Sequence, residues 1–380
     1  MDQSDMMKTA EALIYLVSCA INREKPDRVF CAKIDLDAVF EMARKHRITA
    51  AAAFALKEIM PLPPHWKEAW GKAMRNHALF EMERAKVLEA LETDGIWYLP
   101  LKGVVLKGCY PKPSMREMTD NDILYDASHS KKVLELMKRM GYTCTEYVRS
   151  DDGHDVYVKP PSVSFELHRA LMNRYPDPLF FHYYQAKKDL MIKDENRRYA
   201  YHMSHNDFYV FHICHMFKHY SRGGTGLRSL TDTYVYYREY GDRLDRVYLE
   251  AELEKLGLSE FERKIRCLSD KVFRRLPLEE SETRELEFFV KSGCYGTSAQ
   301  KLEKTIGSGN SKSAKYRYIL RRIFPPREAL LMCYPVVYRH MILYPLMVVY
   351  RPFKSLIKYP GRVRRELRRV RNYRPNDSDQ

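Results

Sequence analysis

The sequence changes its period twice, and those two changes limit the fold more than any motif does. Up to Thr93 apolar residues recur at helical spacing: Leu13, Leu16, Val17 and Ala20 first, then Asp35–His46 and Ile48–Met60 as a helix pair. Pro61-Leu62-Pro63-Pro64 breaks the run, and His65–Thr93 reads as one long helix closed by Asp94-Gly95. From Ile96 the segments become short and β-prone: Ile96–Leu101, Asp122–Tyr125, Tyr142–Val148, Asp155–Lys159 and Ser162–His168. One amphipathic helix, Ser130–Met140, lies among them, and Pro160-Pro161 makes a tight turn. After about residue 176 the helical period returns in Ser204–Tyr220, Leu227–Tyr240, Asp245–Leu256 and Ser259–Arg274. One group of short strands between two helical stretches predicts an α+β chain: a small mixed sheet flanked by N-terminal and C-terminal helical regions.

Composition narrows the class. The 380 residues suit two or three domains, and 45% hydrophobic against 30% charged residues can bury a sizeable core. The opening Met1-Asp2-Gln3-Ser4-Asp5 lacks the basic start of a secretory signal, and no apolar run reaches the ~20 residues of a membrane span. Eight cysteines contain no CxxC pair, which argues against a zinc ribbon and reads as reduced thiols in a cytoplasmic protein. The net charge of +15 is concentrated. Arg351 to Arg374 holds ten Lys or Arg and one acid, Glu366, so it carries +9 and leaves the rest only mildly basic.

The carboxylates carry the chemistry. Asp120 and Asp122 are separated by one residue, so on a strand both side chains fall on one face. Two carboxylates held together repel unless a cation joins them, and magnesium takes one or two carboxylates plus phosphate oxygens. In Ser162–His168, alternation puts Ser164, Glu166 and His168 on one face and Val163, Phe165 and Leu167 on the other. Such a face meeting the Asp-x-Asp face makes a two-metal platform. Upstream, Lys102-Gly103 ends a strand with a cation and a glycine, and a glycine lets backbone N–H groups approach a phosphate. Arg116 is a second phosphate contact. Each piece alone also reads blandly, as a solvated strand face or a turn; the combination in this order is specific.

Leu101-Lys102-Gly103, Tyr110-Pro111, Arg116, Asp120-x-Asp122-Ile-Leu and Phe165-Glu166-Leu167-His168 resemble the uncharacterised nucleotidyltransferase family of the polymerase-β-like superfamily. His215-x-x-Lys218-His219, Gly226-Leu227-Arg228 and Asp232 resemble it too. The resemblance implies a minimal polymerase-β-like core and transfer of a nucleoside monophosphate from an NTP such as ATP, with pyrophosphate released. It implies that Asp120, Asp122 and Glu166 hold Mg2+ or Mn2+, with Glu166 binding the catalytic metal or activating the acceptor hydroxyl. Lys102, Gly103, Arg116, His168, His215, Lys218, His219 and Arg228 become the expected substrate contacts. Val104 stands where the superfamily usually has serine, and Asn121 where an apolar residue is common. These departures leave open a non-catalytic module that binds nucleotide or nucleic acid. The acceptor reads as a small molecule, a glycan precursor or a protein.

Two segments keep several readings. His212, His215 and His219 share a helix face and could bind zinc, pack, or face substrate. Met341–Tyr350 is apolar but too short to span a bilayer, and with residues 351–374 it reads as a packed helix with a solvated tail, an anionic membrane-surface contact at the inner face, or a nucleic-acid contact. The expected division is 1–62 helical, 63–190 the α/β core with its long leading helix, 191–325 a helical substrate-binding region, and 326–380 a helical segment with the basic tail. A loop at 307–311 and a basic helix at Ser313–Phe324 complete the expectations.

Overall fold

The computed structural model describes residues 3–148, 150, 152–294, 296, 316, 319–320, 323–325, 330, 334–358, 361, 364 and 368. The expected loop at 307–311, most of the helix at 313–324 and nearly all of the tail beyond 358 lie outside the described residues.

The leading helices are α1 (Gln3–Asn22), α2 (Arg28–Cys31), α3 (Leu36–His46), α4 (Thr49–Lys57) and α5 (Pro64–Thr93). Asp35 caps α3 by accepting from the Asp37 and Ala38 amides, each at 3.0 Å. Pro64 opens α5 at the position where a missing N–H costs nothing. Gly95, at φ 70°, turns the chain out of it, in a region open mainly to glycine.

The sheet follows: β1 (Tyr98–Pro100), α6 (Gly103–Leu106), β2 (Asn121–Tyr125), α7 (Ser130–Arg139), β3 (Thr143–Glu146), β4 (His154–Lys159) and β5 (Val163–His168). Its order is β1-β2-β5-β4-β3, and β2 with β5 is the parallel pair in an otherwise antiparallel sheet. One face carries Ile123, Tyr125, Tyr157, Phe165 and Leu167, which pack on Val87 and Leu91 of α5 and on Val133, Leu136 and Met137 of α7. The opposite face carries Asp122, Glu166, His168 and His154, with Leu124 and Val156 among them. This is the α+β architecture, a five-stranded mixed sheet with helices before and after it.

Beyond the sheet come α8 (Pro178–Ala186), β6 (Ile192–Lys193), β7 (Tyr201–His202), α9 (His205–Gly223), α10 (Leu227–Tyr240), α11 (Arg246–Lys255), α12 (Ser259–Phe273) and α13 (Glu280–Ser292). Further on stand α14 (Pro335–Arg339) and α15 (Tyr344–Lys358). The β6–β7 ribbon corrects the expectation of helix alone after residue 176; strands of two residues are too short to show a period. Ser204 caps α9 through the Asp207 amide and Asp245 caps α11 through the Tyr248 amide, each at 3.0 Å. Leu13, Leu16 and Val17 of α1 and Ala51–Leu56 of α4 share one apolar core with Tyr209, Leu230, Leu268 and Phe289. Helices before and after the sheet thus close over each other, and the sheet's polar residues look toward this helical body. Among the described residues no helix is long and apolar enough to cross a membrane. The seven described cysteines are free.

Candidate active site

The register of the parallel pair builds the site. Asp122 stands opposite Glu166, and Leu124 opposite His168. The β4–β5 pairing then sets His154 opposite His168. Asp122, Glu166, His168 and His154 therefore share one sheet face across three strands. Asp120 is the residue just before β2 begins, and its carboxyl interacts electrostatically with Asp122 and Glu166.

Lys102 enters from the end of β1. The Leu101 amide donates to the Asp122 carbonyl at 2.9 Å, which fixes where the next residue turns. Lys102 then adopts φ 48°, ψ −118°, a conformation that costs a non-glycine residue about 1–3 kcal/mol. The turn points its ammonium inward. Lys102 Nζ donates to Asp122 Oδ1 at 2.5 Å and lies 3.8 Å from Glu166 Oε2. His168 Nε2 reaches the same Asp122 oxygen at 2.8 Å.

Electrostatics follow from this crowding. Burial opposes the charge on Asp122, but Lys102 and His168 more than offset it, and its pKa falls well below the usual carboxylate range. Burial, with Asp122 and Asp120 alongside, pushes Glu166 up to about 7. Burial and then Asp122 also raise Asp120. Burial and Lys102 lower His168 to about 3, so at neutral pH its ring is uncharged. Because Asp122 can only accept, the hydrogen of that ring sits on Nε2 and points at the carboxylate.

The facing wall is α9. His215 and His219 approach each other at 3.4 Å between Nε2 atoms. Burial and the Lys102 and Lys218 ammoniums push His215 well down. Lys218 is lowered to about 8 by burial, then by Lys102 and Arg222. The reach of Lys102 into both groups places this helix face across the cleft from the carboxylates. His212 does not join them: it is buried, and its Nε2 pairs with Thr233 Oγ1 at 2.9 Å. Arg228 donates to the Glu117 carbonyl at 3.4 Å and acts electrostatically on Asp120.

Arg116 and Gly103 stand apart from the phosphate-contact expectation. Arg116 forms a buried two-point ion pair with Asp232, Nε to Oδ1 at 2.8 Å and Nη2 to Oδ2 at 2.9 Å, and the Tyr110 hydroxyl donates to Oδ1 at 2.7 Å. A Cβ on residue 103 would sit 2.3 Å from Arg116 Nη1, so the glycine makes room for that guanidinium. Asn121 faces away from the carboxylates, as its place in the alternation predicts. It is fully buried and half-satisfied: Oδ1 accepts from Arg84 at 3.2 Å, while Nδ2 has no partner.

His154 is the site residue that the sequence reading missed. Counting outward from the Pro160-Pro161 turn pairs residues whose numbers sum alike, and that count puts His154 opposite His168. His154, Glu166 and His168 bring donor atoms within 4.8 Å of one another, a second possible metal set.

The residues fit a divalent cation on two grounds. The Lys102 ammonium already stands among the carboxylates as a cation surrogate, so the donors are arranged around positive charge. Three carboxylates also form a hard oxygen set of the kind Mg2+ and Mn2+ take.

A family model described as uncharacterised nucleotidyltransferase matches residues 32–274. Among curated proteins none matches this chain. The chain is also similar to the solution structure of the antibiotic-resistance factor ANT(2'')-Ia, at 10% identity and a TM-score of 0.34, over 47% of this chain and 94% of that one. The matched stretch takes in the sheet, Lys102, all three carboxylates and the α9–α10 wall, and the chain belongs to the uncharacterised nucleotidyltransferase family.

Proposed function

We propose that this chain is a metal-dependent nucleotidyltransferase that moves a nucleoside monophosphate from an NTP to an acceptor hydroxyl and releases pyrophosphate. The observation that carries the reading is the β2–β5 register, which sets Asp122 beside Glu166 on the polar sheet face with Asp120 just ahead. In this reading Asp120, Asp122 and Glu166 hold Mg2+ or Mn2+. Held there, the ion would supply Lewis-acid chemistry for phosphoryl transfer. The acceptor oxygen forms a bond to the α-phosphorus, the bond from that phosphorus to the bridging oxygen of the β-phosphate breaks, and the acceptor proton passes to Glu166. Lys102, released from Asp122, pairs with a phosphate oxygen, and Lys218 meets the triphosphate from the α9 wall. His168 keeps Asp122 oriented.

A cavity of about 760 Å³ opens between α3 and α5 and is lined by Arg44, Lys72, Asn76, Arg116 and Met118. Met118 is two residues from Asp120, and the volume suits a small ligand. Its lining takes in neither Lys102 nor the three carboxylates, so the cavity assigns no acceptor class.

The Lys102–Asp122 pair favours a second reading, a non-catalytic nucleotidyltransferase-like module that binds nucleotide or nucleic acid, because Asp122 is already neutralised. Incubation with each labelled NTP and Mg2+ or Mn2+ separates the two. Release of pyrophosphate or labelling of an acceptor supports transfer; tight nucleotide binding with neither supports the module.

A further inference from the structure

We propose that α15, with the Met341–Leu343 turn ahead of it, is an interfacial helix that docks this protein onto an anionic lipid surface. In water a surface helix turns its apolar stripe inward. Here the arrangement is reversed. Tyr344, Met347 and Arg351 lean inward, toward the chain just ahead of the helix: Met347 is buried, the Tyr344 hydroxyl donates to the Pro325 carbonyl at 3.3 Å, and Arg351 lies 6.0 Å from the Tyr334 ring. The outward face carries Leu346, Val349, Tyr350, Phe353 and Ile357, which are 72%, 60%, 57%, 62% and 81% exposed. At about 100° per residue these five share an arc of roughly 100°, the width of a stripe that normally faces a core. Ile342, 88% exposed, extends the patch at its N-terminal end. Single exposed apolar residues need no explanation, but a contiguous row does.

Charge selects the occupant. Residues 329–365 contain no Asp or Glu. Lys354 flanks the stripe along one edge, and the sequence continues through Lys358 into the basic run that ends at Arg374. Each cation near an anionic membrane surface is worth about 1 kcal/mol, and the apolar face adds burial among acyl chains. A nucleic acid would meet the cations and leave the apolar row in water. A second copy would cover the row but bring two cationic tails together. With 15 residues the helix lies on the bilayer and does not cross it.

The test uses the full chain. Flotation with vesicles of equal parts phosphatidylcholine and phosphatidylglycerol is compared with pure phosphatidylcholine. The protein floats with the anionic vesicles and not the neutral ones, and part of the binding survives high salt. The double variant Phe353→Ser, Ile357→Ser reduces partition about tenfold or more with an unchanged melting temperature, because both side chains already face solvent. Tyr350→Trp shifts its emission to the blue when anionic vesicles are added. The proposal is overturned by no flotation of the wild-type chain, by binding of the double variant equal to wild type, which makes the contact electrostatic only, or by a wild-type dimer that the double variant converts to monomer. RNA that displaces the chain from vesicles equally in both forms would also overturn it.

Discussion

Replacing Asp232 removes the acceptor for three buried donors at once. Arg116 Nε and Nη2 and the Tyr110 hydroxyl all point at its carboxylate within 2.9 Å, and the Arg116 and Asp232 side chains are only 8% and 5% exposed. Asp232→Ala therefore leaves a guanidinium in the interior without counter-charge, which costs about 3–5 kcal/mol. At ~2–4 °C per kcal/mol for a unit of this size, the melting temperature should fall by roughly 10 °C. Removing the whole set, with Tyr110→Phe, Arg116→Met and Asp232→Leu together, leaves no orphaned charge and should recover most of that loss. pH gives a second handle. Burial works against the Asp232 charge, but Arg116 more than offsets it, so the folded pKa lies below the unfolded value. The contribution is then full above the unfolded value of about 4 and is lost as pH falls through the folded one. Urea unfolding followed by circular dichroism measures both. A loss under about 1 kcal/mol for Asp232→Ala, or a triple variant no better than the single one, would mean that the buried guanidinium does not depend on this carboxylate.

Three further outcomes follow from the site. Glu166→Gln should lower kcat by about 10²–10⁴ with a smaller change in KM for the NTP, read by steady-state pyrophosphate release; equal changes in both would remove Glu166 from the proton-transfer step. Lys218, lowered to about 8, is charged below that pH and neutral above it, so KM for the NTP should rise between neutral and mildly alkaline pH, and Lys218→Met should flatten the rise. Gly103→Ala drives a methyl into Arg116 Nη1 and should lower the melting temperature even though alanine favours helix by about 1 kcal/mol; a stabilised variant would mean that the guanidinium moves freely.

Much of the fold was legible because long periodic segments carry their own signal. The break at Pro61–Pro64 and the Asp94-Gly95 stop bracket α5, and the alternation in Val163–His168 separates core from polar face before any partner is known. The β6–β7 ribbon and α8 were not legible, the first because two-residue strands have no period, the second because Pro178–Ala186 lacks polar spacing. In the site, alternation assigns Asp122 and Glu166 to polar faces, but their adjacency comes from a parallel pairing between strands 44 residues apart in number. No local pattern encodes that. Arg116 illustrates the same limit. A cation near an Asp-x-Asp pair suggests phosphate, whereas its partner Asp232 lies 116 residues on and enters only when α10 packs against the core. Gly103 likewise answers to that guanidinium.

Manganese binding watched by electron paramagnetic resonance tests the metal assignment without needing the acceptor. Mn2+ is titrated into the full chain with a non-hydrolysable NTP analogue, for wild type, Asp122→Asn and His154→Gln. Wild type takes up Mn2+, Asp122→Asn weakens uptake at least about tenfold, as loss of a carboxylate ligand should, and His154→Gln leaves it close to wild type. Wild-type uptake by Asp122→Asn, or its loss in His154→Gln alone, would place the ion on the His154, Glu166 and His168 donors and contradict the proposed carboxylate site.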